Sequence, residues 1–423
     1  MRQSPQLTGL WLASGNAGTA SIATNLDVNP EDIEQVVEAA RSLRIDLVVV
    51  GPEGPLARGI VDRLSALGIP AFGPTKAAAQ LEASKAFART VMREASIPGP
   101  DFWVFRDQQS ALNFLHKHPG PVVVKADGLA AGKGALVCQT PEAAAAAVGV
   151  CMNDRLFGQA GETIVIEEFL TGTEVSVFAF SDGAHLSSPI AACDYKRAND
   201  GDQGPNTGGM GSYALPEFWN DALAESVARQ IMQPAIDAMA GRDMPYRGVL
   251  YAGLMLTDAG PKVLEFNCRL GDPEAQVILP LLEGDPLEVM LASLEGRLAE
   301  VPVNWRRSAC VGVVMASGGY PAKYETGFEI TGLDTPNDAL IFHAGTRLAR
   351  RGTGTRVVTG GGRVLTVVGQ GDSLAEARQR AYHRLQGIRF PNAYYRADIA
   401  LDPPTSPFNK GRLGGVPLIK GGP

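Results

Sequence analysis

The sequence predicts a multidomain chain, α/β at its start and α+β thereafter, and three observations carry that reading. At 423 residues it exceeds one compact core, typical domains running about 100–200 residues. Between residues 9 and 74, short apolar runs alternate with segments of helical periodicity, the pattern of a parallel sheet with helical crossovers. From about residue 309, several short apolar runs accompany a single helical segment, the pattern of a small α+β unit.

The elements follow in order. "GLWLA" reads as a strand, "PEDIEQVVEAARSL" as a helix behind Pro30, "IDLVVVGPEGP" as a strand ending in a Gly/Pro turn, "GIVDRLSALG" as a helix and "IPAFGP" as a strand. Ligands of such sheets bind beyond the carboxyl ends of strands, which makes "SGNAGT" and "GPEGP" candidate ligand loops. One helix is expected over "QLEASKAFARTVMREAS", stopping before Pro98. "GPVVVKADGLAAGKGALVC" reads as strand, glycine loop, strand; an alanine-rich helix starts at Pro141; "ETIVIEEFL", "TEVSVFAFSDG" and "HLSSPIAA" are strands. A long helix is expected from about Pro216 to Ala240, then the strand "GVLYAGLMLT". The expected division is an N-terminal domain over 1–80, a central domain over 81–303 with a subdomain at about 119–182, a C-terminal domain over 304–402, and a Pro/Gly-rich tail over 403–423 that is expected to be disordered.

Composition excludes several functions. The net charge of −7, from 38 Lys+Arg against 45 Asp+Glu, leaves no global basic field for nucleic acid. No apolar run approaches the roughly 20 residues of a membrane helix, and no signal peptide is visible, so the chain is expected to be cytoplasmic with no membrane partner. The five cysteines are scattered and read as reduced thiols, and the five histidines give little support to a histidine-activated nucleophile.

Four segments carry chemistry. "KADGLAAGKG" (125–134) sets Lys125 and Lys133 about Gly128, Gly132 and Gly134, residue types that let backbone and ammonium approach phosphate oxygens. It leads to a strand and lacks a following Ser or Thr, so it is a hairpin flap and not a P-loop; a plain glycine hairpin with solvated lysines stays open. "IVIEEFLTGTE" (164–174) ends a strand in acids, a place for an adenine edge and ribose hydroxyls or for surface charge alone. "DYKRANDGDQGPNTGGMG" (194–211) is a long polar loop whose Lys196 and Arg197 can meet phosphate and whose glycines can close over a small substrate; an idle insertion is the alternative. In "VLEFNCRLGDPEAQ" (263–276) Glu265 and Asn267 share one face of a strand end, a hard-oxygen pair suited to Mg²⁺ beside phosphates, with Arg269 next to neutralise a phosphoryl group.

Together with "SGNAGT", "GPEGPL", "FGPT", "QLEASKAF", "YAGLM", "MASGGYP", "FHAGT" and "GGRVL", these segments resemble the ATP-grasp superfamily and, within it, the phosphoribosylamine–glycine ligase family, from about Ser14 to Ile399. The resemblance implies a Rossmann-like pre-ATP-grasp domain, an ATP-grasp domain with a flap, and a small C-terminal domain. The family opens with a strand and a loop close to G-x-G-G-R-E-H, and the given sequence is expected to start after them, at a second strand. The implied activity joins glycine to 5-phosphoribosylamine through a glycyl phosphate, with ATP and Mg²⁺, or Mn²⁺ in its place. Lys85 and Lys125 would contact ATP phosphates under the flap 128–134; Glu167, Glu168, Phe169 and Leu170 would frame adenine, and Glu174 the ribose. Glu265 and Asn267 would hold the metal. Arg269, Lys196 and Asp272 would be catalytic, with Gly271, Pro273 and Glu274 beside the small substrates. Asn206, Thr207, Gly208, Gly209 and Met210 would close the site, and Asn16, Gly18, Gly51, Pro52, Glu53 and Gly54 would face phosphoribosylamine. A monomer is favoured. The alternatives are an ATP-binding protein or crippled ligase without turnover and, much more weakly for want of G-x-G-x-x-G, a dinucleotide oxidoreductase.

Overall fold

The computed structural model describes residues 1–130, 133–336, 338–352 and 354–401. Gly132 and the tail 403–423 of the sequence reading lie outside these residues. In chain order come β1 (Trp11–Ala13), β2 (Thr24–Leu26), α1 (Ile33–Ser42), β3 (Val48–Val49), α2 (Glu53–Arg58), α3 (Ile60–Ser65) and β4 (Ala71–Phe72). The expected parallel pairing is present, but as two separate two-stranded sheets, β1 with β2 and β3 with β4. No described strand lies between them.

The single helix expected after Gln80 is two, α4 (Gln80–Ala83) and α5 (Lys85–Glu94), because Ser84 is extended at φ −132° and its hydroxyl accepts from Phe87 N–H as the cap of α5. A capping serine starts a helix and cannot continue one through itself. Next come β5 (Phe102–Phe105), α6 (Gln108–Lys117), β6 (Val122–Ala126), β7 (Ala135–Cys138), α7 (Pro141–Met152) and β8 (Ile164–Glu168). They form a four-stranded antiparallel sheet, order β5-β8-β6-β7, with its own core of Ala111, Leu115, Val124, Val148 and Ile166 against α6 and α7.

β9 (Thr173–Asp182), β10 (Ile190–Asp194), the hairpin β11 (Arg197–Asn199) and β12 (Gln203–Asn206), and β13 (Gly211–Ala214) follow. The long helix expected to Ala240 is interrupted: α8 (Asp221–Val227) widens through a π turn at Ala228–Met232 before α9 (Gln233–Ala240). Pro234 is the reason, since it has no N–H for the Gln230 carbonyl and its ring clashes there. The chain continues through β14 (Arg247–Thr257), β15 (Gly260–Asn267), α10 (Ala275–Ile278), β16 (Leu282–Glu283), α11 (Pro286–Glu295), β17 (Asn304–Trp305) and β18 (Ala309–Ser317). It ends with β19 (Leu340–His343), β20 (Thr346–Arg351), β21 (Gly354–Thr359), β22 (Arg363–Gly371), α12 (Leu374–Leu385) and β23 (Ala393–Tyr394).

A nine-stranded sheet, β15-β14-β9-β10-β13-β18-β22-β19 with β23 on β18, is the frame of the molecule. The C-terminal strands therefore extend the central sheet through the β13–β18 pairing, where Gly211 meets Val313. This continuity places β22 beside the segment 206–211. Among the described residues no helix is long and apolar enough to cross a membrane.

Candidate active site

The candidate site residues gather where the four-stranded sheet meets β15, which Arg89 and Lys125 join through the Val263 and Leu264 carbonyls. The break at Ser84 sets Lys85 in the first turn of α5, and the Asp127 carboxylate accepts from Ser84 Oγ at 3.0 Å and Ala86 N–H at 3.0 Å, tying that turn to the glycine loop. Lys85 Nζ then donates to the Gly128 carbonyl at 2.9 Å. At the base of the loop, Ala126 N–H donates to Gly134 O at 2.9 Å, so β6 and β7 stay paired there, and Lys133 is exposed.

Under the flap is a buried charge cluster. Glu167 accepts from Arg89 Nε at 2.7 Å and pairs with Lys125 Nζ at 2.9 Å, with side chains 2–7% exposed. Lys125 also donates to Leu264 O at 2.9 Å, and Arg89 to the carbonyls of Val263 and Leu264 at 2.9 and 2.7 Å. Burial pushes the Lys125 ammonium down, against the pull of Glu167; burial pushes Glu167 up, but Lys125 and Arg89 bring it below the usual carboxyl range. Glu167, expected to frame a base, thus has its carboxylate committed to the interior, because a buried charge needs its partners. Glu168 is exposed and paired with Lys262 at 3.4 Å, while Leu170 is buried. Arg89 escapes the sequence reading; its one signal is an arginine among Ala88, Val91 and Met92 on the buried face of α5.

Glu265 and Asn267 leave β15 on one side of the strand, opposite Gly253 and Tyr251 of β14. Desolvation in the cleft pushes Glu265 up, but Lys125, Lys85 and Lys196, together with a hydrogen bond to Asn267, hold it below the ordinary carboxyl range. Lys196 reaches the same place from the turn after β10, with Nζ 2.5 Å from Glu174 and 3.1 Å from Asp194. Desolvation works against its charge, yet Asp194 and Glu174 hold it firmly as an ammonium. Glu174 is therefore tied to Lys196. Three segments far apart in sequence thus bring charge to one carboxylate–amide pair on a fourth. Among the described residues no three His, Cys, Asp or Glu side chains could hold a metal alone; a carboxylate beside an amide offers two hard oxygens, the donor type that a divalent ion accepts together with oxygens from elsewhere.

Behind them, Ser176 Oγ and Tyr251 OH lie 2.7 Å apart, and Tyr251 OH donates to Glu274 Oε1 at 3.1 Å. Burial, then Asp194, lifts Glu274 to about 7; burial likewise lifts Glu82 to about 7, against Arg269. Between the ordinary carboxyl value of 4.5 and about 7 the native chain holds protons that the unfolded chain has released, so stability falls as pH rises through that window. Glu274→Gln is expected to raise the melting temperature over the unsubstituted chain at pH 8 and to leave it nearly unchanged at pH 5. Equal shifts at both pH values would contradict the raised carboxyl.

Arg269 Nε donates to Glu53 at 2.8 Å, and Glu82, 3.9 Å from the same guanidinium, accepts from Cys268 N–H at 2.8 Å. This joins the "GPEG" turn at Gly51, Pro52 and Gly54 to the strand end. Glu82 is a site residue that the sequence reading misses, although it lies within "QLEASKAF". Asn16 spends its side chain on its own loop, accepting from Gly18 and Thr19 N–H at 2.9 and 3.0 Å and donating to His343 O at 2.7 Å. It shapes the turn that would face a ligand.

The closing segment is anchored by Thr207, which donates through N–H and Oγ1 to Lys196 O at 2.7 and 2.9 Å. Asn206 is exposed at the end of β12. Met210, expected at the substrate, is instead fully buried at 0% exposure; its N–H donates to Tyr195 O at 2.8 Å and its carbonyl accepts from Val314 N–H, which holds its backbone on both sides. Asp272 points to the C-terminal strands, accepting from Arg363 Nη2 at 2.9 Å and from Gln276 at 2.9 Å, while Gly271 leaves room for the Glu274 carboxylate, 2.5 Å from where a Cβ would stand.

Residues 1–82, 83–275 and 310–402 match the N, ATP-grasp (A) and C domains described as phosphoribosylglycinamide synthetase. The chain belongs to the phosphoribosylglycinamide synthetase family. The phosphoribosylamine–glycine ligase of Allochromatium vinosum is 46% identical over 402 residues, 94% of this chain and 93% of that protein. The trifunctional purine biosynthetic protein adenosine-3 of Gallus gallus is 47% identical over 94% of this chain and 40% of its own length. A crystal structure of phosphoribosylamine–glycine ligase from Thermotoga maritima superposes with a TM-score of 0.80 at 34% identity, covering 92% of this chain and 94% of that one. The biotin carboxylase domain of the 2-oxoglutarate carboxylase of Hydrogenobacter thermophilus shares the fold alone, with a TM-score of 0.68 at 13% identity, over 89% of this chain and 83% of that one. The chain is thus a multidomain α/β protein built on an ATP-grasp fold.

Proposed function

We infer that the chain joins glycine to 5-phosphoribosylamine using ATP, giving glycinamide ribonucleotide, ADP and phosphate in purine biosynthesis. The observation that carries this reading is the placing of three ammonium groups around the strand end that bears Glu265 and Asn267: Lys125 on the Leu264 carbonyl, Lys85 on the Gly128 carbonyl of the glycine loop, and Lys196 between Glu174 and Asp194. Such a site neutralises a polyphosphate and offers two hard oxygens to one divalent ion.

Lys85 and Lys125 would lie against the ATP phosphates beneath the flap, which spans Gly128, Lys133 and Gly134 and keeps water from the transfer. The β8 strand end, Glu168 to Leu170, would border adenine, and Glu174 the ribose. Glu265 and Asn267 would hold Mg²⁺, or Mn²⁺, which would supply positive charge to offset that of the phosphates. A glycine carboxylate oxygen forms a bond to the γ-phosphorus as the bond to ADP breaks, in line, with Lys196 and Arg269 offsetting the charge. The amine of phosphoribosylamine then attacks the acyl carbon and phosphate leaves, the amine proton passing to solvent or to a neighbouring carboxylate. Glu53 and the turns at Asn16–Gly18 and Gly51–Gly54 would receive the amine substrate, and Thr207–Gly209 and Glu274 would enclose glycine.

Glycine labelled with ¹⁸O in its carboxyl group tests the intermediate. One labelled oxygen is expected in the released phosphate. Unlabelled phosphate would exclude a glycyl phosphate. Soluble small-molecule substrates suit a cytoplasmic monomer, expected to sediment at 44.6 kDa; a dimer mass would refute the monomer.

A further inference from the structure

Arg363, the first residue of β22, stands where two loops of the cleft meet. Its Nη1 donates to Gly208 O at 2.6 Å and to Asp272 O at 3.0 Å, and its Nη2 to Asp272 Oδ2 at 2.9 Å. The other face of the same glycine is also held, since Gly208 N–H donates to Tyr320 OH at 3.1 Å. A Cβ at Gly208 would come within 3.0 Å of the guanidinium, and Gly209, at φ +109°, would bring a Cβ within 2.4 Å of Pro273 Cδ. Gly209 admits no side chain in this arrangement, whereas one at Gly208 would have to push the guanidinium aside. The 206–210 segment is thus wedged between Arg363 and Tyr320 on one side and the 271–274 turn on the other, and Ser212 Oγ, donating to Pro273 O at 2.8 Å, repeats the tie one strand further.

We propose that Arg363 is a positioning residue for the small carboxylate substrate, joining the closing segment 206–210 to the 271–274 turn so that Thr207, Gly209 and Glu274 meet glycine in one geometry. This rests on the functional reading above. The planar fork of an arginine fits the role, since one guanidinium serves two backbone carbonyls and a carboxylate at fixed angles, which an ammonium on a flexible stem does not. Asp272 acts through Arg363. The nucleotide lysines Lys85 and Lys125 lie on other elements and spend their ammonium groups on Gly128 O and Leu264 O, so nucleotide affinity is not under the control of Arg363.

The test is steady-state ADP release by the full chain, with glycine and ATP varied in turn, for Arg363→Ala, Arg363→Lys, Asp272→Ala, the Arg363→Ala/Asp272→Ala double variant, and Arg356→Ala as a control on an exposed hairpin. Arg363→Ala is expected to raise the glycine KM by about tenfold or more, the scale of a modest misplacement of reacting groups, with the ATP KM within about twofold and the stabilisation of the chain by ADP unchanged. Arg363→Lys should recover part of the loss and remain fully folded. The double variant should be no worse than Arg363→Ala, because the two residues act as a unit. A glycine KM that does not move, or one that moves together with the ATP KM, overturns the proposal. If the unsubstituted chain forms no ADP with glycine and phosphoribosylamine, the functional reading falls, and this inference with it.

Discussion

Glu265→Gln is expected to lower kcat by about 10²- to 10³-fold and to raise the Mg²⁺ concentration required for half-maximal rate, the scale of losing one charge-stabilising group in a preorganised site. The change keeps shape and one oxygen but removes a carboxylate that Lys125, Lys85 and Lys196 hold below the ordinary carboxyl range. Without it the proposed metal would lose its anionic ligand, and the three ammonium groups nearby would have less negative charge to offset them. Neighbouring Asn267 is uncharged and cannot restore the balance. The check is ADP release against Mg²⁺ concentration, beside a melting curve showing the fold intact. A variant within threefold of the unsubstituted rate at every Mg²⁺ concentration would refute the assignment of this strand end.

The largest stability effect falls on Arg89→Ala. It removes one side of a charge cluster whose side chains are 2–7% exposed, and breaking such a pair from one side costs about 3–5 kcal/mol because the remaining charge stays buried. Glu167 would keep only Lys125, and the carbonyls of Val263 and Leu264 would lose donors that now fix the strand just before Glu265 and Asn267. Urea unfolding at pH 7 measures it. A loss below 1 kcal/mol would mean that water or rearrangement satisfies Glu167. Activity should fall with stability here, since Lys125, which shares Glu167, belongs to the proposed phosphate site.

Glu265 and Asn267 announce themselves in the sequence, because an apolar strand that ends in alternating charge and amide is hard to explain without a ligand. Lys125, Lys133 and Lys196 are legible as well, lying among glycines or in a polar run, whereas Lys85, inside a helical segment, is reached only through the family resemblance. Arg89 is not, since its partner Glu167 is 78 residues away and periodicity reports which face is buried but not what waits there. Arg363 is hidden similarly: "GGRVL" reads as a strand start, and only the pairing of β13 with β18 and of β18 with β22 brings it to Gly208. Met210 shows the opposite failure, a methionine in a glycine-rich loop that looks exposed by composition and is buried, its backbone held on both sides by Tyr195 O and Val314 N–H. Pro234 is in plain view, and a stricter reading of the helix would place the π turn before it. The N-terminal crossovers are legible as elements, whereas their division into two separate parallel pairs depends on partners that no local pattern specifies.

Whether the chain is the ligase described here is decided by supplying it with Mg²⁺, ATP, glycine and freshly generated phosphoribosylamine, and quantifying glycinamide ribonucleotide by mass alongside ADP and phosphate. The three products are expected in equal amounts, each dependent on both glycine and phosphoribosylamine. ADP formed without ligated product, or no turnover by a folded chain, would contradict the assignment.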